Sequence, residues 1–104
     1  MSFIEKGLKE SESLVTSFMA SMSNMAKMEQ AISIMAEQLR QGGKIISCGN
    51  GGSMCDAMHF AEDLTGRFRK DRKALNAIAL SDPAHITCVA NDFGYDQIFA
   101  RGVE

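Results

Sequence analysis

Apolar residues recur at helical spacing through the first forty positions. Ile4, Leu8, Val15, Phe18, Met19 and Met22 fall near one stripe, with Glu5, Lys9, Glu10 and Glu12 mostly off it. This predicts an amphipathic helix from Phe3 to about Met22, weakened near its start by Gly7. Ser23-Asn24 supplies a break and a cap. A second stripe of Met28, Ala31, Ile32, Met35 and Leu39 then predicts a helix from about Met25 to Gln41, ended by Gly42-Gly43. Beyond it the period changes. Lys44 to Cys48 is a short apolar run with two adjacent isoleucines, as in a strand covered on both faces. Gly49-Asn50-Gly51-Gly52 suits neither helix nor strand and signals positive φ angles or a close approach of backbone. Ser53 is expected to cap a helix from Met54 to about Thr65, ended by Gly66, with Met54, Ala57, Met58, Ala61 and Leu64 at core spacing. Asn76 to Leu80 is a second buried-strand candidate, and Ser81-Asp82-Pro83 opens a short helix from Ala84 to about Asn91. Asn91-Asp92-Phe93-Gly94 reads as a turn, and Tyr95 to Glu104 begins another helix in which Gly102 is unfavourable.

The alternation of strand and helix from Lys44 onward predicts an α/β fold with a parallel sheet of flavodoxin-like type. Residues 1–43 form an αα-hairpin that packs either on the domain or on another subunit, and residues 44–104 form the first part of the α/β domain. Two strands are too few for such a sheet. The remaining strands are expected from further sequence or from a partner chain, with a truncated domain as the leading expectation.

Composition narrows the classes. The 104 residues are 45% hydrophobic, which suits one small globular domain and argues against disorder. A net charge of −2 gives no electrostatic case for binding nucleic acid or an anionic membrane. No apolar run approaches the ~20 residues needed to span a bilayer, and the N-terminal MSFIEKGLKESES lacks a basic-then-apolar signal, so the expected location is cytoplasmic. Cys48, Cys55 and Cys88 form no C-x-x-C pair and are expected to be reduced, packed thiols. Eight methionines without a tryptophan suit an adaptable core or a helix interface.

Candidate chemistry centres on the stretch from Lys44 to Arg67. A glycine-rich turn entering a helix offers backbone N–H groups and a partial positive charge to an anion or polyhydroxyl ligand, although a tight turn without a ligand fits equally well. The turn is neither G-x-G-x-x-G, since Met54 stands at the third glycine position, nor a phosphate-binding loop with Gly-Lys-Ser/Thr. His59 and Asp63 are four apart, about 40° around a helix axis, so they can share a metal ion, hold one proton or address one substrate. Alone, such a pair is more often a surface ion pair or a helix-stabilising contact. Glu62 points about 100° further round and is not an obvious replacement for Asp63. The basic run from Arg67 to Lys73 reads as a solvated loop, or as the source of an arginine for a phosphate. Asn91-Asp92 alone is an ordinary turn, and His85 a helix-entry or core histidine.

The ordered set GNGGS, CDAMHFAE, LTGRF, AIALSD and NDFGY resembles the bacterial phosphoheptose isomerases of the sugar isomerase (SIS) domain superfamily. The resemblance covers essentially the whole chain and is densest from Gly42 to Arg101. Family members are nearly twice as long, so this chain resembles their N-terminal half.

The resemblance implies a homotetramer assembled through the N-terminal helices and an aldose–ketose isomerisation. In that reaction sedoheptulose 7-phosphate becomes D-glycero-D-manno-heptose 7-phosphate, a lipopolysaccharide precursor. It implies a zinc ligand at His59, and a carboxylate at position 63 for which zinc binding and proton transfer compete. It also implies substrate contacts at Asn50, Gly51, Gly52, Asp63, Asn91 and Asp92. The family has glutamate where this chain has Asp63, and the shorter side chain withdraws the carboxylate by about 1.5 Å. That departure could cost much of the rate, because a base must reach its proton. The family's serine/threonine-rich phosphate loop, and its glutamine and histidine near the C-terminus, have no counterpart here, so this polypeptide alone is expected to be inactive. The alternative is a non-catalytic SIS-domain scaffold of the replication-initiator-associating type.

Overall fold

The computed structural model describes residues 2–104. The chain divides into two compact units, Met1–Glu37 and Gln38–Glu104.

The first unit holds helix α1 (Phe3–Ala20) and most of helix α2 (Met22–Arg40). A capping box starts α1: the Glu5 N–H donates to Ser2 Oγ and the Ser2 N–H to Glu5 Oε2, each at 3.1 Å. The break between the helices lies at Ser21, not at Ser23-Asn24. Ser21 is extended, and its Oγ accepts from the Asn24 N–H at 3.2 Å, so Met22 opens α2 instead of closing α1. The expected apolar stripe is present on α1, and among the described residues of this unit nothing covers it. Ile4, Leu8, Val15, Phe18 and Met19 are all exposed, and neither helix holds a buried residue.

The second unit begins with the end of α2. There Gly43 N–H donates to Gln38 O (2.8 Å) and Gly42 N–H to Leu39 O (3.2 Å), the paired bonds that close a helix through a left-handed glycine. Strand β1 (Ile45–Ser47) pairs in parallel with β2 (Ala77–Ala79) in the register Ile45↔Ala77, Ile46↔Ile78 and Ser47↔Ala79. Helix α3 (Gly52–Thr65) makes the crossover, and Ser47 Oγ ties the layers by donating to Ala57 O at 2.8 Å. Helix α4 (Pro83–Phe93) starts as expected, with Asp82 as N-cap accepting from Ala84 N–H and proline in the first turn. A 3-10 turn (Tyr95–Gln97) leads to α5 (Ile98–Val103). Gly102 is where α5 meets the end of β2: a Cβ there would lie 2.9 Å from Leu80 Cδ1.

The buried core of this unit, among the described residues, is Ala57 and Ala61 from α3, Ala77 from β2, Val89 from α4 and Ile98 from α5. Three expectations fail on burial. The strands are not covered on both faces, since Ile78 is exposed. Met58 is exposed on α3, so the buried stripe narrows to Ala57 and Ala61. All three cysteines are free, as expected, but exposed instead of packed. The common cause is a sheet of two strands, which has too little surface to cover these positions.

Candidate active site

The glycine-rich turn itself starts α3. Gly51 adopts φ 56 and ψ −121, open to glycine but not to a side-chain-bearing residue, and its carbonyl accepts from both Met54 and Cys55 N–H. Gly51 is therefore the N-cap, without a side-chain cap, and Ser53 lies within the first turn. Gly49 serves close approach instead: a Cβ there would fall 2.6 Å from the Ser53 carbonyl. Asn50, Gly51 and Gly52 thus sit together at the N-terminal end of α3, all exposed.

His59 lies seven residues after Gly52, nearly two whole turns, and so on the same face about 10 Å along the axis. His59 Nε2 stands 3.4 Å from Asp63 Oδ2, an ion pair whenever the imidazole is protonated. The imidazole side chain is 75% exposed and the carboxylate 33%. At that exposure the pair contributes at most about 1 kcal/mol to stability, so stability alone gives little reason for it. The separation matches two donors on one ion: metal bonds of about 2.0–2.1 Å in a tetrahedron set neighbouring ligands about 3.3 Å apart. Contrary to the helical-wheel expectation, Glu62 is also within reach, for His59, Glu62 and Asp63 offer ligand atoms all within 4.8 Å of one another. One imidazole and two carboxylates form a nitrogen/oxygen donor set that suits zinc.

Asn91 and Asp92 do not form a turn. They belong to the last turn of α4, which runs on to Phe93 because the residue with positive φ is Gly94 (φ 106), whose N–H donates to Ala90 O. Asp92 accepts from Asn91 Nδ2 at 3.0 Å and from the Cys88 thiol at 3.4 Å. That hydrogen bond, reinforced by the carboxylate's charge and slight desolvation, raises the Cys88 pKa above its ordinary value. The link between this segment and the glycine-rich turn is Tyr95, whose hydroxyl donates to Asn50 Oδ1 at 2.7 Å. Sequence reasoning did not name Tyr95 as a site residue, although the NDFGY motif contains it.

The basic loop divides its arginines. Arg72 donates to the carbonyls of Leu64 (2.8 Å) and Asp63 (2.6 Å), closing the C-terminal end of α3, and Arg67 pairs with Asp71 at 2.9 Å. His85 is half-buried, as a core histidine would be, with Nε2 enclosed and unpartnered.

A sequence model of the SIS domain matches residues 8–104. The chain belongs to the SIS domain family. The phosphoheptose isomerase of Vibrio cholerae is 52% identical over 101 residues, which cover 97% of this chain and 53% of that protein. That of Cytophaga hutchinsonii is 52% identical over 97 residues, covering 93% and 51%. Among solved structures, the phosphoheptose isomerase of Neisseria gonorrhoeae superposes with a TM-score of 0.84 at 34% identity, covering 96% of this chain and 51% of that one. The Francisella tularensis enzyme gives 0.78 at 38% identity, covering 99% and 55%. The chain spans about half the length of the curated relatives it matches, and its fold corresponds to their N-terminal part. No helix among the described residues is long and apolar enough to cross a membrane.

Proposed function

We propose that this SIS-domain chain supplies the N-terminal half of a phosphosugar isomerase site. The reaction is conversion of sedoheptulose 7-phosphate to D-glycero-D-manno-heptose 7-phosphate, a cytoplasmic step toward lipopolysaccharide heptose. The observation that carries the reading is the His59–Asp63 pair, held on the face of α3 that begins at the glycine-rich turn.

The reaction moves a proton between C1 and C2 through an enediol, so it needs a base of suitable reach and stabilisation of the oxyanion. Asp63 takes the proton from one carbon and returns it to the next. Its Oδ2 stands 3.4 Å from His59 Nε2, and zinc binding competes with proton transfer for this one carboxylate. His59 and Asp63 would hold zinc, whose Lewis acidity polarises the substrate's oxygens. Backbone N–H groups at Gly51 and Gly52, with the Asn50 amide, would orient the sugar hydroxyls at the helix entrance. Tyr95 fixes the Asn50 side chain through its carbonyl oxygen, leaving the amide N–H groups to donate. Asn91 and Asp92 would contact the sugar from the end of α4.

We also infer that the protein assembles as a homotetramer through α1 and α2, which supports itself on the uncovered apolar face of α1.

The catalytic assignment is tested in a chimera that continues Glu104 into the remaining portion of the Vibrio cholerae relative, to about 190 residues. Asp63→Ala is expected to lower kcat about 10³-fold or more, and Asp63→Glu to hold or raise it. Turnover unchanged by Asp63→Ala would remove Asp63 from the mechanism.

A further inference from the structure

Asn50 and Tyr95 stand 45 positions apart, each beside a glycine that bends the chain. Gly51 (φ 56) follows Asn50 and opens α3, and Gly94 (φ 106) precedes Tyr95 and closes α4. The backbone is held on both sides. The Asn50 carbonyl accepts from Ser53 N–H at 3.0 Å, and a Cβ on Gly49 would meet the Ser53 carbonyl at 2.6 Å. The Gly94 carbonyl accepts from Gln97 N–H at 3.1 Å, and the 3-10 turn leads straight into Ile98, 2% exposed in the core. Between these two fixed turns the Tyr95 hydroxyl donates to Asn50 Oδ1 at 2.7 Å. Both side chains are exposed, so water competes for both partners and the bond adds little to stability. What it does fix is an amide that would otherwise turn freely about its last torsion. Asn50 has no second side-chain partner among the described residues.

We propose that Tyr95 is a positioning residue of the sugar subsite, latching the glycine-rich turn to the end of α4 so that the two grip one polyhydroxyl chain together. This rests on the reading of Asn50, Asn91 and Asp92 as sugar contacts. The latch acts in two ways. It takes up Asn50 Oδ1, so Nδ2 is presented as a donor to a substrate oxygen. It also ties Asn50 to the chain just beyond Asp92, whose carboxylate is itself steadied by Asn91 Nδ2 and the Cys88 thiol. A donor amide from one turn and an acceptor carboxylate from the other suit the hydroxyls of a sugar chain, each of which both donates and accepts. Holding these groups in place before binding removes the entropic cost of ordering them afterwards.

The latch is tested first on the 104-residue chain, without reliance on turnover. NMR relaxation of the side-chain amide nitrogen should show Asn50 ordered in the parent and mobile in Tyr95→Phe, which keeps the ring and removes the hydroxyl. Its consequence is then read in the chimera with the Vibrio cholerae relative, as KM for sedoheptulose 7-phosphate in a double-substitution cycle. Tyr95→Phe is expected to raise KM about fivefold and to leave kcat within about twofold. Asn50→Ala is expected to raise KM at least as much. In the Asn50→Ala background Tyr95→Phe should add nothing, because Tyr95 acts through Asn50. A merely structural tyrosine would instead raise KM by the same factor in both backgrounds. That result, an unchanged KM in Tyr95→Phe, or an Asn50 amide whose order the substitution does not alter, would overturn the latch and leave the isomerase reading standing. A parent chimera without turnover would overturn the isomerase reading and this inference together.

Discussion

The two units of this chain solve opposite problems with similar helices. In Met1–Glu37, helix α1 is strongly amphipathic and properly capped, yet Phe3, Ile4, Leu8, Leu14, Val15, Phe18 and Met19 all remain exposed. In Gln38–Glu104, the helices bury small residues, Ala57, Ala61 and Val89, against two short strands and Ile98. A capped helix with an apolar face is stable only when that face is covered, because propensity alone gives marginal helices in water. The first unit therefore carries an apolar face that its own two helices leave uncovered. The second makes its own contacts and displays polar groups at the entrance and along one face of α3.

This contrast predicts where substitutions act. Phe18→Glu should have the largest effect on assembly: sedimentation should show the oligomer dissociating to monomers, while the unfolding free energy of the Gln38–Glu104 unit stays unchanged. Retention of the oligomer would remove α1 from the interface. Ile98→Ala should act the other way. Ile98 is 2% exposed, so its truncation should cost about 2–5 kcal/mol in denaturant unfolding. A cost near zero would mean that this unit also depends on a partner for its core. Smaller again is the effect on Cys88. Its thiol proton is held by Asp92, so at about pH 8, below the ordinary thiol pKa, it should be alkylated more slowly than Cys48. Asp92→Asn removes the negative charge that disfavours the thiolate, lowers the Cys88 pKa and should speed the reaction, as mass spectrometry of trapped peptides would show. Equal rates before and after the substitution would dissolve the Cys88–Asp92 contact.

What the sequence disclosed depended on how local each signal was. Gly66, Asp82-Pro83 and the two parallel strands were legible because a cap or an apolar run acts within a few residues. The capping box of Ser2 and Glu5 was equally local and was passed over. Ser53 misled because it is a better intrinsic cap than glycine, whereas the backbone at Gly51 demands a positive φ that only the fold reveals. Asn91-Asp92 misled likewise: the turn chemistry belongs to Gly94. At the site, the His59–Asp63 pairing followed from spacing alone. Glu62 required the rotamer of a long side chain, and Tyr95–Asn50 joins residues 45 positions apart, beyond any helical or strand period. The exposure of Met58 and Ile78 could not be read from apolar pattern, which marks surfaces suited to burial without saying what covers them.

The account rests on the claim that this chain bears one part of an isomerase site, complete only with the sequence that its relatives carry beyond the matched region. The most direct measurement is turnover of sedoheptulose 7-phosphate by the 104-residue chain beside the chimera of about 190 residues, each with and without added zinc. The account predicts turnover by the chimera alone, increased by zinc. Turnover by the short chain at the chimera's rate, or a folded tetrameric chimera that turns over nothing, would contradict it.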